Sequence, residues 1–154
     1  MRLGTTRWLL VGLLGLGLWP MVAASAQETR WDNLNKAATE AYQRADYAKA
    51  EKLLLAALQE AEKFGEQDPR LATSLNNLAL FYKTQRRYAQ AEPLMQRALA
   101  IREKALGPEH PDVATVLENY AALLHKLNRD AEADKTEARA QAIRAKHAKE
   151  NPPK

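Results

Sequence analysis

An all-α fold of three stacked helical hairpins is what this sequence predicts, and three observations carry the prediction. First, the chain writes nearly the same sentence three times: LNKAATEAYQRADYAKAEK from Leu34, LNNLALFYKTQRRYAQAEP from Leu75 and LENYAALLHKLNRDAEADK from Leu117, spaced by 41 and 42 residues. Second, apolar residues within each copy recur at steps of three and four, the period of one face of a helix. Third, alanine is plentiful, aromatic residues make up only 6% of the chain, and runs of Val, Ile and Thr are missing. A chain of 154 residues is long enough for one modest core.

The first element is an address rather than part of the fold. Arg2 and Arg7 give a positive start, and Trp8 to Trp19 is an apolar run interrupted by Gly12, Gly15 and Gly17. Pro20 is expected to break that helix, and Ala24-Ser25-Ala26 supplies the small residues a signal peptidase reads. The pattern predicts a secretory signal peptide over residues 1–26, cleaved between Ala26 and Gln27, and a periplasmic or secreted mature chain. The alternative is a retained membrane anchor, but the apolar run is shorter than the roughly 20 residues a spanning helix needs. No cysteine follows it, so lipid attachment at that point is excluded.

The first hairpin covers about residues 31–66. Trp31, Leu34, Ala38, Ala41 and Ala45 form one stripe, and Ala50, Leu53, Leu54, Ala57, Leu58 and Ala61 the next, with a polar break at Gln43 to Asp46. The second, about 68–108, starts at Asp68-Pro69, a capping carboxylate followed by a proline suited to the first helical position. Its stripes are Leu75, Leu78, Ala79 and Tyr82, then Ala91, Leu94, Met95, Ala98, Leu99, Ile101 and Leu106, with Gly107 as the stop. Pro93 lies in the early turns of the second stripe, where a missing N–H costs less than in mid-helix. The third hairpin, about 110–149, opens at His110-Pro111-Asp112, and residues 151–154 form a short tail.

Small residues hold matching places: Ala38, Ala79 and Ala121, and again Ala50, Ala91 and Ala133. Two helices approach closely only where side chains are small. The spacing Leu75-x-x-Leu78-Ala79-x-x-Tyr82, followed by Ala91 and Ala98, resembles the tetratricopeptide repeat. The segment from Asn76 through Tyr88-Ala89-Gln90-Ala91-Glu92-Pro93 to Gly107-Pro108-Glu109-His110-Pro111-Asp112 looks like the 42-residue variant found in kinesin light chains and many bacterial proteins. The resemblance spans residues 31 to about 149 and implies a right-handed α-α superhelix. The first copy lacks the Gly-Pro-x-His-Pro linker, and the third departs most in its second helix.

That departure has a physical meaning. Moving along by 42 residues, Leu94 becomes Thr136, Met95 becomes Glu137 and Leu99 becomes Gln141. A face bearing Glu and Gln cannot be buried against a fourth repeat without stranding polar groups. The last helix is therefore a polar cap that ends the array.

Nothing in the sequence suggests catalysis. His110, His125 and His147 are the only histidines, no pair has the i, i+4 spacing of a helical zinc motif, and Ser25 and Ser74 have no triad around them. The glycines Gly12, Gly15 and Gly17 lie in the leader and form no phosphate loop. Cysteine is absent, which removes disulfides, thiolate metal sites and thiol nucleophiles. No enzyme activity, cofactor, metal or small-molecule substrate is expected. Acids and bases are interspersed at a net charge of +4, which does not suit nucleic acid.

A binding surface remains. The resemblance implies a concave groove lined by the first helix of each hairpin, with asparagines that hold a peptide backbone and basic residues that hold carboxylates. Carried onto this chain, it points to Asn77 and Asn119 first, with Asn76, Asn35, Lys36, Lys83 and Lys126 around them. Lys36 stands where an asparagine would complete the series. The function expected is non-catalytic binding of a partner's peptide segment by an exported adaptor or assembly factor. The alternatives are a self-associating structural protein and an accessory subunit of a membrane-bound envelope enzyme, the latter keeping the leader as anchor.

Overall fold

The computed structural model describes residues 19–151, and all of its helices among them run in the order α1 (Trp19–Gln43), α2 (Tyr47–Glu62), α3 (Pro69–Thr84), α4 (Tyr88–Leu106), α5 (Pro111–Lys126) and α6 (Asp130–Glu150). The basic start and nearly all of the apolar run of the leader, together with residues 152–154, lie outside that range. Each odd-numbered helix packs most closely on the one that follows it, and α2 on α3 and α4 on α5 join one hairpin to the next. There is no strand among the described residues.

Local chemistry sets the helix ends. Asp68 caps α3 by accepting from the Arg70 N–H at 2.9 Å, and Pro69 occupies the first turn. Asp46 caps α2 through the Lys49 N–H at 3.2 Å. His110 takes the matching place before α5, where Nδ1 accepts from the Asp112 N–H at 3.1 Å. This histidine is structural, as its proline-flanked setting predicts. Gly107 closes α4 at φ 89°, which suits a residue without a side chain.

The recurring alanines are the points of closest approach. Ala50, Ala79, Ala91, Ala121 and Ala133 are fully buried, and Ala38 nearly so. Larger side chains fill the space between: Leu71, Leu75, Leu78 and Met95 belong to one core that runs from the first hairpin into α5 through Val116 and Leu123. A smaller core of Val113, Ala114, Leu117, Ala140 and Ile143 closes the third hairpin, and Leu99 touches both. Helix α6 buries only Ala133, Ala140 and Ile143. Its polar face follows the sequence expectation.

One element differs from expectation. Helix α1 is described from Trp19 onward, so Pro20 lies within the helix instead of breaking it, and the Ala26–Gln27 bond falls inside it. The added length is anchored. Gln27 donates to the Glu60 carbonyl at 3.4 Å, Arg30 pairs with the Glu60 carboxylate at 3.1 Å, and Glu28 pairs with Arg70 at 3.2 Å. Glu60 is buried, and Lys63 supplies its second charge partner at 2.8 Å.

Candidate functional site

The first helices of the hairpins, α1, α3 and α5, are tied side by side by a repeated amide contact. Asn77 Nδ2 donates to Asn35 Oδ1 at 3.3 Å, and Asn119 Nδ2 donates to Asn76 Oδ1 at 3.4 Å. Asn35 also donates to the Trp31 carbonyl at 2.9 Å, so both ends of its amide are engaged. The four asparagines singled out from the sequence therefore form two rungs between neighbouring repeats. Each of Asn77 and Asn119 retains its own carbonyl oxygen and one amide hydrogen for a guest.

The rung is offset by one residue from repeat equivalence. Asn77 matches Lys36 in the first hairpin, yet it bonds to Asn35. Glu118 is the third-repeat counterpart of Asn35 and Asn76, and it takes Arg144 of α6 at 3.0 Å.

Beside the first rung, the seam between α1 and α3 opens into a cavity of about 300 Å³. Ala38, Leu54, Leu80 and Phe81 make its apolar floor, while Asn35, Asn77, Thr39 and Thr84 form a polar rim. Tyr42 is its wall, 40% exposed, edge-on to Phe81 at 6.3 Å and to Tyr47 at 5.5 Å. Tyr42 thereby packs against the next hairpin through Phe81. Leu54 and Phe81 were not foreseen as site residues. Both read as ordinary stripe or stripe-adjacent residues, and only the stacking of two hairpins turns them toward one opening.

The three lysines have no carboxylate partner among the described residues. Lys36 and Lys126 are exposed and Lys83 is half-buried. Burial, followed by the repulsion of Lys126, holds the Lys83 ammonium below the usual lysine range. Two cations close enough to oppose each other on adjacent first helices favour an anion between them.

Arg86 and Arg87, adjacent in the turn of the second hairpin, separate. Arg86 is exposed, but Arg87 grips both carboxylate oxygens of Glu51 at 2.8 Å and lies over the Tyr82 ring at 4.1 Å. Arg129 repeats the grip on Glu92, one hairpin further on. A turn arginine is drawn back because the preceding repeat presents an acid at a fixed height.

The last hairpin gathers another cluster. His125 on α5 places Nδ1 2.8 Å from Asp130 and Nε2 3.5 Å from Glu137. The Asp130 hydrogen bond, with Glu137 and Asp134 near it, holds the His125 imidazolium above the usual histidine range.

A stack of helical hairpins with small-residue seams and a lined first-helix face is a repeat solenoid of the binding class. The tetratricopeptide repeat family matches residues 30–104 and again 70–146, and the chain belongs to it. The crystal structure of BtubC (BKLC) from P. vanneervenii is similar at 28% identity and a TM-score of 0.72, covering 80% of this chain and 50% of that one. This chain thus spans half the length of that relative. A putative kinesin light chain from Podospora anserina with nearly identical TPR-like repeats shares the fold at 22% identity and a TM-score of 0.67, over 88% of this chain and 66% of that one. The N-terminal domain of stress-induced protein-1 (STI-1) from C. elegans does so at 18% and 0.62, over 77% and 87%. No curated protein matches. Tetratricopeptide repeats generally mediate protein–protein interaction, and the family's members are typically scaffolds without catalysis.

Proposed function

We propose that this protein is an exported adaptor that holds an extended segment of a partner protein across α1, α3 and α5. One observation carries the reading: an apolar cavity on α1 and α3, bordered by the Asn77 amide with its carbonyl oxygen open, lies on a first-helix face that also carries three lysines without carboxylate partners among the described residues. The cavity suits one bulky apolar side chain of the guest. The Asn77 and Asn119 amides suit its backbone, and Lys83 with Lys126 suit a carboxylate. Because repeat packing fixes this face in advance, the receptor spends little ordering entropy on binding. Export rests on the leader pattern of residues 1–26.

The test is capture from envelope extract with immobilised protein. A partner retained by the wild type should be lost with Leu80→Glu, which places a charge in the cavity, and with the double variant Lys83→Glu, Lys126→Glu. Retention by both variants would overturn the assignment. Export is tested separately by the mass of the protein recovered after expression with its leader, which should begin at Gln27.

A second reading, self-association, is favoured by the exposure of Tyr42, Tyr47 and Leu55, at 40%, 43% and 42%, all on the first hairpin. Trp31 takes no part in such a surface, since its Nε1 donates inward to Ser74 at 2.7 Å. Light scattering distinguishes the two readings: a constant monomer mass up to high concentration removes the second.

A further inference from the structure

We infer that His125, Asp134 and Glu137 form a binding site for a divalent transition-metal ion, zinc in the first instance, that bridges α5 and α6. The donors come from both helices of the last hairpin. Asp134 and Glu137 stand three residues apart, hence on one face of α6, and that face is turned to the last turn of α5, where His125 sits. One donor atom from each residue lies within 4.8 Å of the other two.

The arrangement of the imidazole is the telling feature. Its Nδ1 lies 2.8 Å from the Asp130 carboxylate, a contact that requires the proton on Nδ1. The lone pair of neutral imidazole is then on Nε2, which faces Glu137 Oε1 at 3.5 Å. Two electron-pair donors face to face need a cation between them, a second proton or a metal ion. A histidine oriented by a carboxylate through one nitrogen, with the other nitrogen aimed at the ligand position, is the outer-shell pattern of metal centres.

Charge points the same way. Asp130, Asp134 and Glu137 set three carboxylates against one imidazole. Arg129, the nearest basic residue in the chain before them, is already held by Glu92 and Glu132. Asp134 makes no hydrogen bond among the described residues. An imidazole nitrogen with two carboxylate oxygens suits zinc better than calcium or magnesium, which take oxygen ligands. Zinc bonds of about 2.0–2.2 Å call for donors roughly 3.3 Å apart, so the side chains close by about an ångström, within reach of partly exposed carboxylates. A fourth position remains for water. The site is independent of the proposed groove: it stitches the end of the stack and does not require a peptide.

The probe is zinc chloride added to the untagged protein, followed by titration calorimetry and thermal melting, with cobalt absorption as the reporter of coordination. The expected result is one saturable site of micromolar affinity and a melting temperature that rises with zinc. His125→Ala should abolish the site, and Asp134→Asn and Glu137→Gln should each weaken it at least tenfold. Asp130→Asn should weaken it by about tenfold through loss of orientation. His147→Ala, at the exposed far end of α6, should bind as the wild type does. Circular dichroism of the metal-free variants establishes that each is folded. Absence of saturable uptake below about 100 µM, several weak sites, uptake that survives His125→Ala, or affinity indifferent to both carboxylate changes would each overturn the inference.

Discussion

Ala45, Arg86 and Asn128 have φ of 59°, 59° and 58°, the left-handed region, at the turn inside each hairpin. Their side chains have nothing in common, so the conformation is imposed by the turn and not chosen by the residue. Only Asn128 belongs to a type that tolerates it well, which is why the sequence shows a polar break here and hides its geometry. Placing a β-carbon in this region costs about 1–2 kcal/mol, partly offset by the extra freedom glycine has when unfolded. Ala45→Gly should therefore raise stability by about 0.5–1 kcal/mol in urea melts, and Asn128→Ala should lower it by a similar amount. The acid side of the stability profile is also set by single residues. Asp68 is held below the ordinary aspartate value by its hydrogen bonds and ion pair with Arg70, and Glu51 below the glutamate value by Arg87. A carboxyl whose folded value is depressed contributes its full stabilisation above the unfolded value and loses it as pH falls through the folded one. The stabilisation these two carboxyls supply should thus hold down to about pH 5 and fall away below about 4, read as a declining melting temperature on the acid side. Asp68→Ala should shift the curve down by about 1 kcal/mol at neutral pH through the lost cap and shrink the acid-side decline.

At the scale of elements, α4 and α6 occupy equivalent places and meet different surroundings. Met95 on α4 is fully buried between hairpins, while Glu137 at the matching position of α6 is 46% exposed along its side chain. Met95→Ala should cost about 2–5 kcal/mol, whereas Gln141→Ala, on the open face of α6, should stay within about 0.5 kcal/mol; chemical denaturation measures both. This contrast was legible in the sequence, because burial demands apolar residues on a repeating stripe and solvent releases the demand. The helical run of α1 through Ala24-Ser25-Ala26 was not legible. Ala24-Ser25-Ala26 reads equally as a cleavage site and as helix, and the contacts that secure Gln27, Glu28 and Arg30 are made with residues thirty or more positions away. The candidate groove divides in the same way. Its asparagines were visible because they recur. Their pairing into rungs was not, because Asn77 reaches past its equivalent to Asn35. The His125 cluster stayed hidden because His125 lies across a turn from its acids, and Asp130, Asp134 and Glu137 at helical spacing read as an ordinary solvated face of α6.

At the scale of the molecule, among the described residues each hairpin touches only its neighbours, and the middle one alone is covered on both sides. Stability in such a stack is a sum of hairpin terms and seam terms, so it is graded along the chain instead of uniform. The core through Leu71, Leu75, Leu78 and Met95 joins two seams at α3 and α4, while α6 contributes three buried side chains. Native-state amide exchange should accordingly be slowest in α3 and α4, intermediate in α1, α2 and α5, and fastest in α6. Met95→Ala tests the cause, since it weakens the seam to α5 from the α4 side. It should speed exchange of α5 and α6 more than that of α1 and α2, because Met95 lies on α4, the helix that packs on α5. Equal protection in α6 and α3, or an equal response of the first and third hairpins to Met95→Ala, would mean that the stack opens as one block. The graded seams, and the separate opening of the last hairpin, would then have to be abandoned.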